Sequence, residues 1–319
     1  MKKLVLVLTV LVAALSSFAM QVDKHNVEFK AELPNYSMQD KATTLGFVIP
    51  NVTYKYEAKA NDMFKLYFHG VAGFNMSQMK YDGEVAEGAD TFAKDMYIKL
   101  NPMGEYILPN DMFLKAELPF AYNNTTEQDE DADAIGSMTL NLDLKASYDK
   151  SKIDIELLSP WAAHEEGICV TAKFGVELMK QYDGEDAEEK DMNVGISGSY
   201  AMLNRDVNYT LKPKFDFTKH LNDKVDESMD VNVGLYYAQD FSKQFTLEGD
   251  LGVNMNKDNE DADMESTLNF EVTANYMALP NLDVFAGVGM SKWLTAEDEE
   301  IDDPTIMLKL GAWYLIDLK

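Results

Sequence analysis

The sequence predicts an all-β fold: a transmembrane, antiparallel, up-and-down β-barrel of about fourteen strands, with sixteen as the alternative count. Three observations point there. Apolar and polar residues alternate with period two along the whole chain, the alternating segments are long for soluble strands, and the N-terminus has the form of an export signal.

The alternation is clearest at Met138, Leu140, Leu142, Leu144, Ala146 and Tyr148, which are separated by Thr139, Asn141, Asp143, Lys145 and Ser147. It recurs from Ile168 to Leu178, Met192 to Tyr200, Phe245 to Met255 and Ile306 to Leu318. Soluble strands usually end after about five or six residues, whereas a tilted strand needs roughly 9–11 to cross a bilayer. The polar face carries charges of both signs: Glu28, Lys30 and Glu32; Lys115 and Glu117; Lys212, Lys214 and Asp216; Glu248 and Asp250. In a soluble sandwich that face would be the outside, and in a barrel it lines a wet interior. Alternation fits either arrangement; strand length, regular hairpins and the export signal favour the barrel.

At the N-terminus Lys2 and Lys3 precede an apolar run from Leu4 to Leu15, broken only by Thr9. Ser17 and Ala19 then supply small residues at the −3 and −1 positions of a cleavage site. The run is short for a membrane helix, which needs about 20 residues. Residues 1–19 therefore read as a cleaved signal peptide and residues 20–319 as the barrel. With a single cysteine, Cys169, the chain forms no internal disulfide, so its stability rests on the fold. A net charge of −27, from 55 acids against 28 Lys and Arg, excludes nucleic acid as a partner.

Short turns fall at Ala60-Asn61-Asp62, Asp149–Ser151, Asn204-Arg205-Asp206, Asp240–Lys243 and Leu279-Pro280-Asn281. Between them lie long acidic segments, 80–90, 123–135, 181–191, 256–265 and 295–304, and a segment of mixed charge, 219–228. Long loops at one rim and short turns at the other are the outer-membrane arrangement, with the short turns periplasmic. Strands are expected near 22–33, 43–59, 62–76, 92–101, 111–122, 136–148, 152–159, 167–180, 191–203, 206–218, 229–239, 243–256, 266–278, 282–294 and 305–318. That list is odd in number, whereas a barrel with both ends periplasmic needs an even one. The rhythm of loops fails between Lys152 and Lys180, at Ser159-Pro160-Trp161, so these two stretches are expected to form one irregular crossing. Met179–Glu185 echoes Met79–Glu84, as repeated hairpins of a meander do.

This pattern resembles the porin-like outer-membrane barrels of Gram-negative bacteria. The resemblance covers the mature chain and lies in the architecture, not in a motif. It implies an outer-membrane location in contact with lipid, no cofactor, and passive passage of small hydrophilic solutes or cations; a homo-oligomer is compatible with it. The residues expected to line the pore are Lys55, Lys65, His69, Lys115, Glu117, Asp143, Lys145, Lys173, Glu177, Lys212, Lys214, Glu248, Asp250, Glu271 and Lys309.

The five acidic segments hold 26 acids against three lysines. Asp82, Glu84, Asp129, Asp131, Asp133, Asp183, Glu185, Asp186, Asp261, Asp263, Glu299 and Glu300 are expected to form an acidic rim that concentrates cations. A plainly solvated surface is the alternative reading of such charge runs. Asp129, Asp131 and Asp133 have the spacing of a calcium loop but lack its glycine at the sixth position and glutamate at the twelfth. A surface-interaction barrel, an adhesin or receptor using these loops, is the alternative function.

Aromatic residues at strand ends (Phe74, Tyr81, Phe120, Tyr122, Tyr148, Tyr182, Tyr200, Tyr276 and Trp293) suit interfacial girdles. An enzyme is not expected. His25, His69, His164 and His220 share no metal-ligand spacing, and Ser159 near His164 has no third group to orient it. Cys169 falls on the polar register of its strand, without a paired histidine.

Overall fold

The computed structural model describes residues 21–39, 42–81, 93–126, 135–150, 152–153, 165–182, 191–221, 228–257, 264–295 and 304–318. Among them are sixteen strands: β1 (Gln21–Gln39), β2 (Ala42–Asn61), β3 (Phe64–Tyr81), β4 (Ala93–Leu108), β5 (Met112–Glu117), β6 (Phe120–Thr126), β7 (Ile135–Asp149) and β8 (Lys152–Ile153) come first. They are followed by β9 (Glu165–Tyr182), β10 (Met192–Asn204), β11 (Tyr209–His220), β12 (Met229–Ser242), β13 (Phe245–Lys257), β14 (Glu265–Leu279), β15 (Leu282–Thr295) and β16 (Thr305–Asp317).

Every neighbouring pair is antiparallel, and β1 closes on β16 from Asn26↔Asp317 to Met38↔Ile306. The result is a closed barrel of fourteen strands. Fourteen crossings arise from sixteen strands because β5 and β6 share one crossing and β8 stands outside the ring. β5 and β6 both pair β4 on one side and β7 on the other, in one continuous register. Met103↔Glu117 and Leu100↔Phe120 lie on the β4 side, Glu117↔Asp143 and Phe120↔Leu140 on the β7 side. Only Leu118 and Pro119 interrupt this crossing, because Pro119 has no N–H to give to the ladder.

Proline accounts for several of the other irregularities. Pro34 lies where β1 shifts register between Glu32 and Asn35 against β2. Pro50 lies where β2 shifts between Ile49 and Val52 against β3. At Pro213 the ladder from β11 to β10 is broken between Ser199↔Lys214 and Met202↔Leu211, while pairing to β12 continues through Pro213↔Leu235. Each of these sites has a bulge or gap that removes the need for the missing donor.

The expected count of fourteen is met, but the stretch Lys152–Lys180 differs in detail from the expectation. It is not one bulged crossing: Glu165–Tyr182 crosses by itself, and Lys152–Ile153 pairs Glu166 and Glu165. This short pairing prolongs the β7–β9 hairpin past the end of β5, whose last partner is Met112↔Tyr148. Ser159, Pro160 and Trp161 lie outside the described residues. β4 runs through Pro102 to Leu108, further than its alternation suggested, and turns through Asn110 and Asp111 at φ 64° and 61°. Asn and Asp tolerate that left-handed conformation better than other residues bearing a Cβ.

The barrel has its apolar side chains outside. Leu144, Ile196, Leu251, Leu308 and Leu310 are exposed, Leu310 to 53%, and all point away from the ring. Such a continuous apolar band is stable against hydrocarbon and not against water. Tyr54, Tyr106, Tyr148, Tyr200, Tyr237, Phe245, Tyr276 and Tyr314 share that outer register near the short-turn rim. Within this band Phe245 pairs Tyr276, Tyr237 packs on Tyr209 at 6.0 Å, and His25 sits edge-on to Tyr54 at 5.6 Å. Amphipathic rings at this level suit lipid headgroups.

Ring closure has a direct chemical test. In a Cys169→Ser background, Val27→Cys with Ile316→Cys is expected to form a disulfide under mild oxidation, because these residues are partners across β1 and β16. Val27→Cys with Leu235→Cys is the negative control. Non-reducing electrophoresis of the folded protein reads the outcome, and absence of the first cross-link would overturn closure.

Candidate functional site

The fifteen ionisable residues singled out from the sequence all occupy one register, opposite to the exposed apolar band. On the concave face of a ring, side chains converge, and groups two strands apart meet if the strand between them presents no side chain. Lys214 of β11 reaches Asp250 of β13 at 2.5 Å past Gly234 of β12, its own cross-strand partner. Lys309 of β16 reaches Glu271 of β14 at 2.5 Å, past Gly287 and Gly289 of β15. The Tyr97 ring of β4 lies across Gly73 of β3, and its hydroxyl accepts a hydrogen bond from Asn51 of β2 at 2.8 Å. Phe285 of β15 covers Gly311 of β16, and Lys30 of β1 sits 5.4 Å from its ring centre. A Cβ at Gly73 or Gly311 would come within 2.4 Å of those rings. These side chains therefore lie along the wall instead of projecting across the lumen.

One side of the wall is rich in lysine. Lys115, Lys145 and Lys173 are successive cross-strand partners on β5, β7 and β9, and Glu117 and Asp143 are partners on the adjacent rung. Like charges directly opposite each other repel. The repulsion is relieved diagonally: Lys145 donates to Glu117 at 2.8 Å, and Lys173 lies 3.8 Å from Asp143. Asn101 also donates to Glu117, at 3.3 Å. Lys115 lies 3.5 Å from Glu105, which accepts a hydrogen bond from Tyr67, and Lys115 also stands over the Tyr67 ring at 5.4 Å. Lys55 pairs with Glu28 at 2.7 Å, and His69 faces Glu57 at 3.6 Å. Lys65 pairs in register with Lys59 and with Glu105.

Strands seven places apart in a ring of fourteen face each other, so β4 faces β13, the β5–β6 crossing faces β14, and β7 faces β15. That opposite side carries Asp240, Glu248, Asp250, Glu271 and Asp283 on the inner register. Glu248 accepts from Tyr236 at 2.8 Å and from Asn275 at 2.9 Å. Lys212 and Glu177 share the inner register on β11 and β9. At the far rim His220 bridges strand ends, with Nδ1 2.8 Å from Asp191 and Nε2 3.6 Å from Asp230. Among the described residues no group of three or more His, Cys, Asp or Glu is placed to hold a metal.

Sequence pattern missed Glu105, Asp283, Phe285 and Trp313. Pro102 and Gly104 disguise the strand that carries Glu105. Phe285 and Trp313 are aromatics on the inner face, packed 5.7 Å apart, and so invert the expected pattern. Their only sequence signal is their even spacing from the polar residues of β15 and β16. Cys169 is on the inner register, 3.9 Å from the Thr171 hydroxyl. His164 and all twelve acids expected at the rim lie outside the described residues.

No family model matches the chain, and no curated protein sequence matches it. Solved structures similar to it include the anion-selective porin from Comamonas acidovorans, at 9% identity and a TM-score of 0.46, covering 93% of this chain and 100% of that one. An outer-membrane channel from Pseudomonas putida F1 matches at 13% identity and a TM-score of 0.45, covering 92% and 96%. The translocator domain of the autotransporter NalP from Neisseria meningitidis matches at 11% identity and a TM-score of 0.40, covering 95% and 92%.

The ion pairs differ in value because they differ in solvent access. Glu117 is 7% exposed, and removing it leaves Lys145 beside two other lysines, so Glu117→Ala is expected to cost about 2 kcal/mol. Lys214 and Asp250 are 44% and 42% exposed, so Asp250→Ala should cost less than about 1 kcal/mol. Urea titration of the barrel in lipid vesicles measures both.

Proposed function

We propose that this chain is an outer-membrane channel for passive diffusion of small hydrophilic solutes, with a modest preference for cations. The observation that supports this most is a closed ring with an apolar exposed exterior and an inner wall of mutually paired charges. Strands about 4.8 Å apart and tilted by about 40° give a fourteen-stranded ring a backbone radius of about 14 Å. Every described residue belongs to the wall or to a connection at its rim. The fifteen inner-register residues predicted from the sequence then act as pore lining: they hydrate the passage and set its field.

Cation preference follows from where the excess charge sits. Basic and acidic groups in the wall largely pair with each other, whereas the loops of one rim carry most of the net −27. A negative mouth raises the local cation concentration without blocking neutral solutes. The lysines of β5, β7 and β9 oppose this preference and keep it modest.

Planar-bilayer recording of the refolded protein tests the proposal. The expected result is a stable ohmic conductance with a reversal potential of cationic sign in asymmetric salt. Replacing Asp183, Glu185 and Asp186 by their amides should reduce the cation-to-anion permeability ratio. Replacing Lys115, Lys145 and Lys173 by Gln should raise it a few-fold. A silent bilayer, or anion selectivity in the unmodified protein, would overturn the proposal.

A further inference from the structure

We infer that the lumen wall between β11 and β14 contains a subsite for a neutral polyhydroxylated solute of monosaccharide size. The inference rests on the channel reading above and narrows its substrate class.

The wall has a recess of about 390 Å³ on its inner face. Gly252 of β13 forms its floor, with no side chain over it, and its cross-strand partner Gly234 of β12 lies beneath the Lys214 side chain, whose Cε is 2.8 Å from where a Cβ would stand. Three amides surround the floor. Asn232 and Asn254 are partners on the next rung toward the far rim, and Asn269 of β14 is the partner of Gly252. Asp216 is the partner of Asn232 and closes one edge, while the Lys214–Asp250 pair closes another.

The chemistry of the edges selects the ligand. Among the described residues no side-chain hydrogen bond engages Asn232, Asn254 or Asn269, so their amides face the recess with donors and acceptors unused. A hydroxyl both donates and accepts and can use both halves of each amide. A bare cation would use only the oxygens, and an anion only the N–H groups. Lys214 and Asp250 already neutralise each other, which leaves Asp216 as a further acceptor for sugar-type hydroxyls. The volume lies at the low end of the roughly 300–1,000 Å³ typical of small-molecule sites, which suits one ring-sized solute. The recess lies in the wall of the passage, so an occupant would interrupt ion flow while bound.

The test is ion-current recording of the refolded full chain with D-glucose or glycine as the added solute, alongside equilibrium dialysis of labelled D-glucose against the folded protein. Glucose is expected to reduce the current in a saturable way and to bind in dialysis, and glycine to do neither at the same concentration. Asn232→Ala with Asn254→Ala and Asn269→Ala should raise the half-blocking glucose concentration by about tenfold or more, since several hydrogen bonds of roughly 1 kcal/mol are lost. Each variant's block is measured against its own glucose-free current. Gly252→Val is a second variant, which fills the floor: an added Cβ there meets nothing closer than 3.5 Å, so the wall need not move. It should abolish both block and binding. Circular dichroism and heat-modifiable migration on gels confirm that each variant is folded.

A conducting channel that ignores glucose, or one that glycine blocks instead, overturns the subsite and leaves the channel standing. A non-conducting protein that still binds glucose in dialysis, with binding lost in Gly252→Val, overturns the channel and leaves the subsite.

Discussion

The pairing of β1 with β16 is the interaction on which the rest of this structure depends. Hydrocarbon offers no hydrogen-bond partner, so an open sheet in a bilayer would leave two edges of N–H and C=O groups unpaired. Closing Asn26–Met38 against Ile306–Asp317 removes both edges together. Once the ring is closed, inside and outside are defined for every strand, and a one-residue slip anywhere would expose a row of charges to lipid. Inside the strands the sheet accommodates missing backbone donors at Pro34, Pro50, Pro119 and Pro213 by local shifts or gaps that leave the parity of the faces intact.

Closure also creates the chemistry of the lumen. Ionised side chains on the concave face are crowded together, and the wall answers the crowding in two ways. On β5 to β9 it sets a rung of lysine beside a rung of carboxylate, so that Lys145 and Lys173 meet opposite charges diagonally, while Lys115 meets Glu105 directly across on β4. On β11 to β16 it places glycine on the middle strand of three, which lets lysine and carboxylate meet across it. Both arrangements draw charged groups flat against the wall. Gly234, which permits one such reach, has Gly252 as its partner on β13, and a shallow recess opens beside them.

Much of this was legible in the sequence, and the reason is the period of the strand. A side chain's face follows from parity alone, so residues as far apart as Lys55 and Lys309 could be assigned to one surface without knowing their neighbours. The crossing count was also legible, because both chain ends on one rim force an even number. Parity fails where the backbone departs from ideal pairing. Glu105 was hidden behind Pro102 and Gly104, the extension of β7 and β9 at Lys152–Glu166 was mistaken for part of a crossing, and Phe285 and Trp313 face inward against the apolar pattern.

The sequence by itself determined the fold class, the number of crossings and the register of most charged residues, since all three depend on local alternation and on the sign of hydropathy. Only the tertiary structure decided which charges meet. Lys214 and Asp250 are 36 residues apart, and Lys309 and Glu271 are 38 apart. Their contact depends on ring curvature and on which strand lies between them. Those quantities are set by long-range register across several strands, and no local pattern in the sequence encodes them.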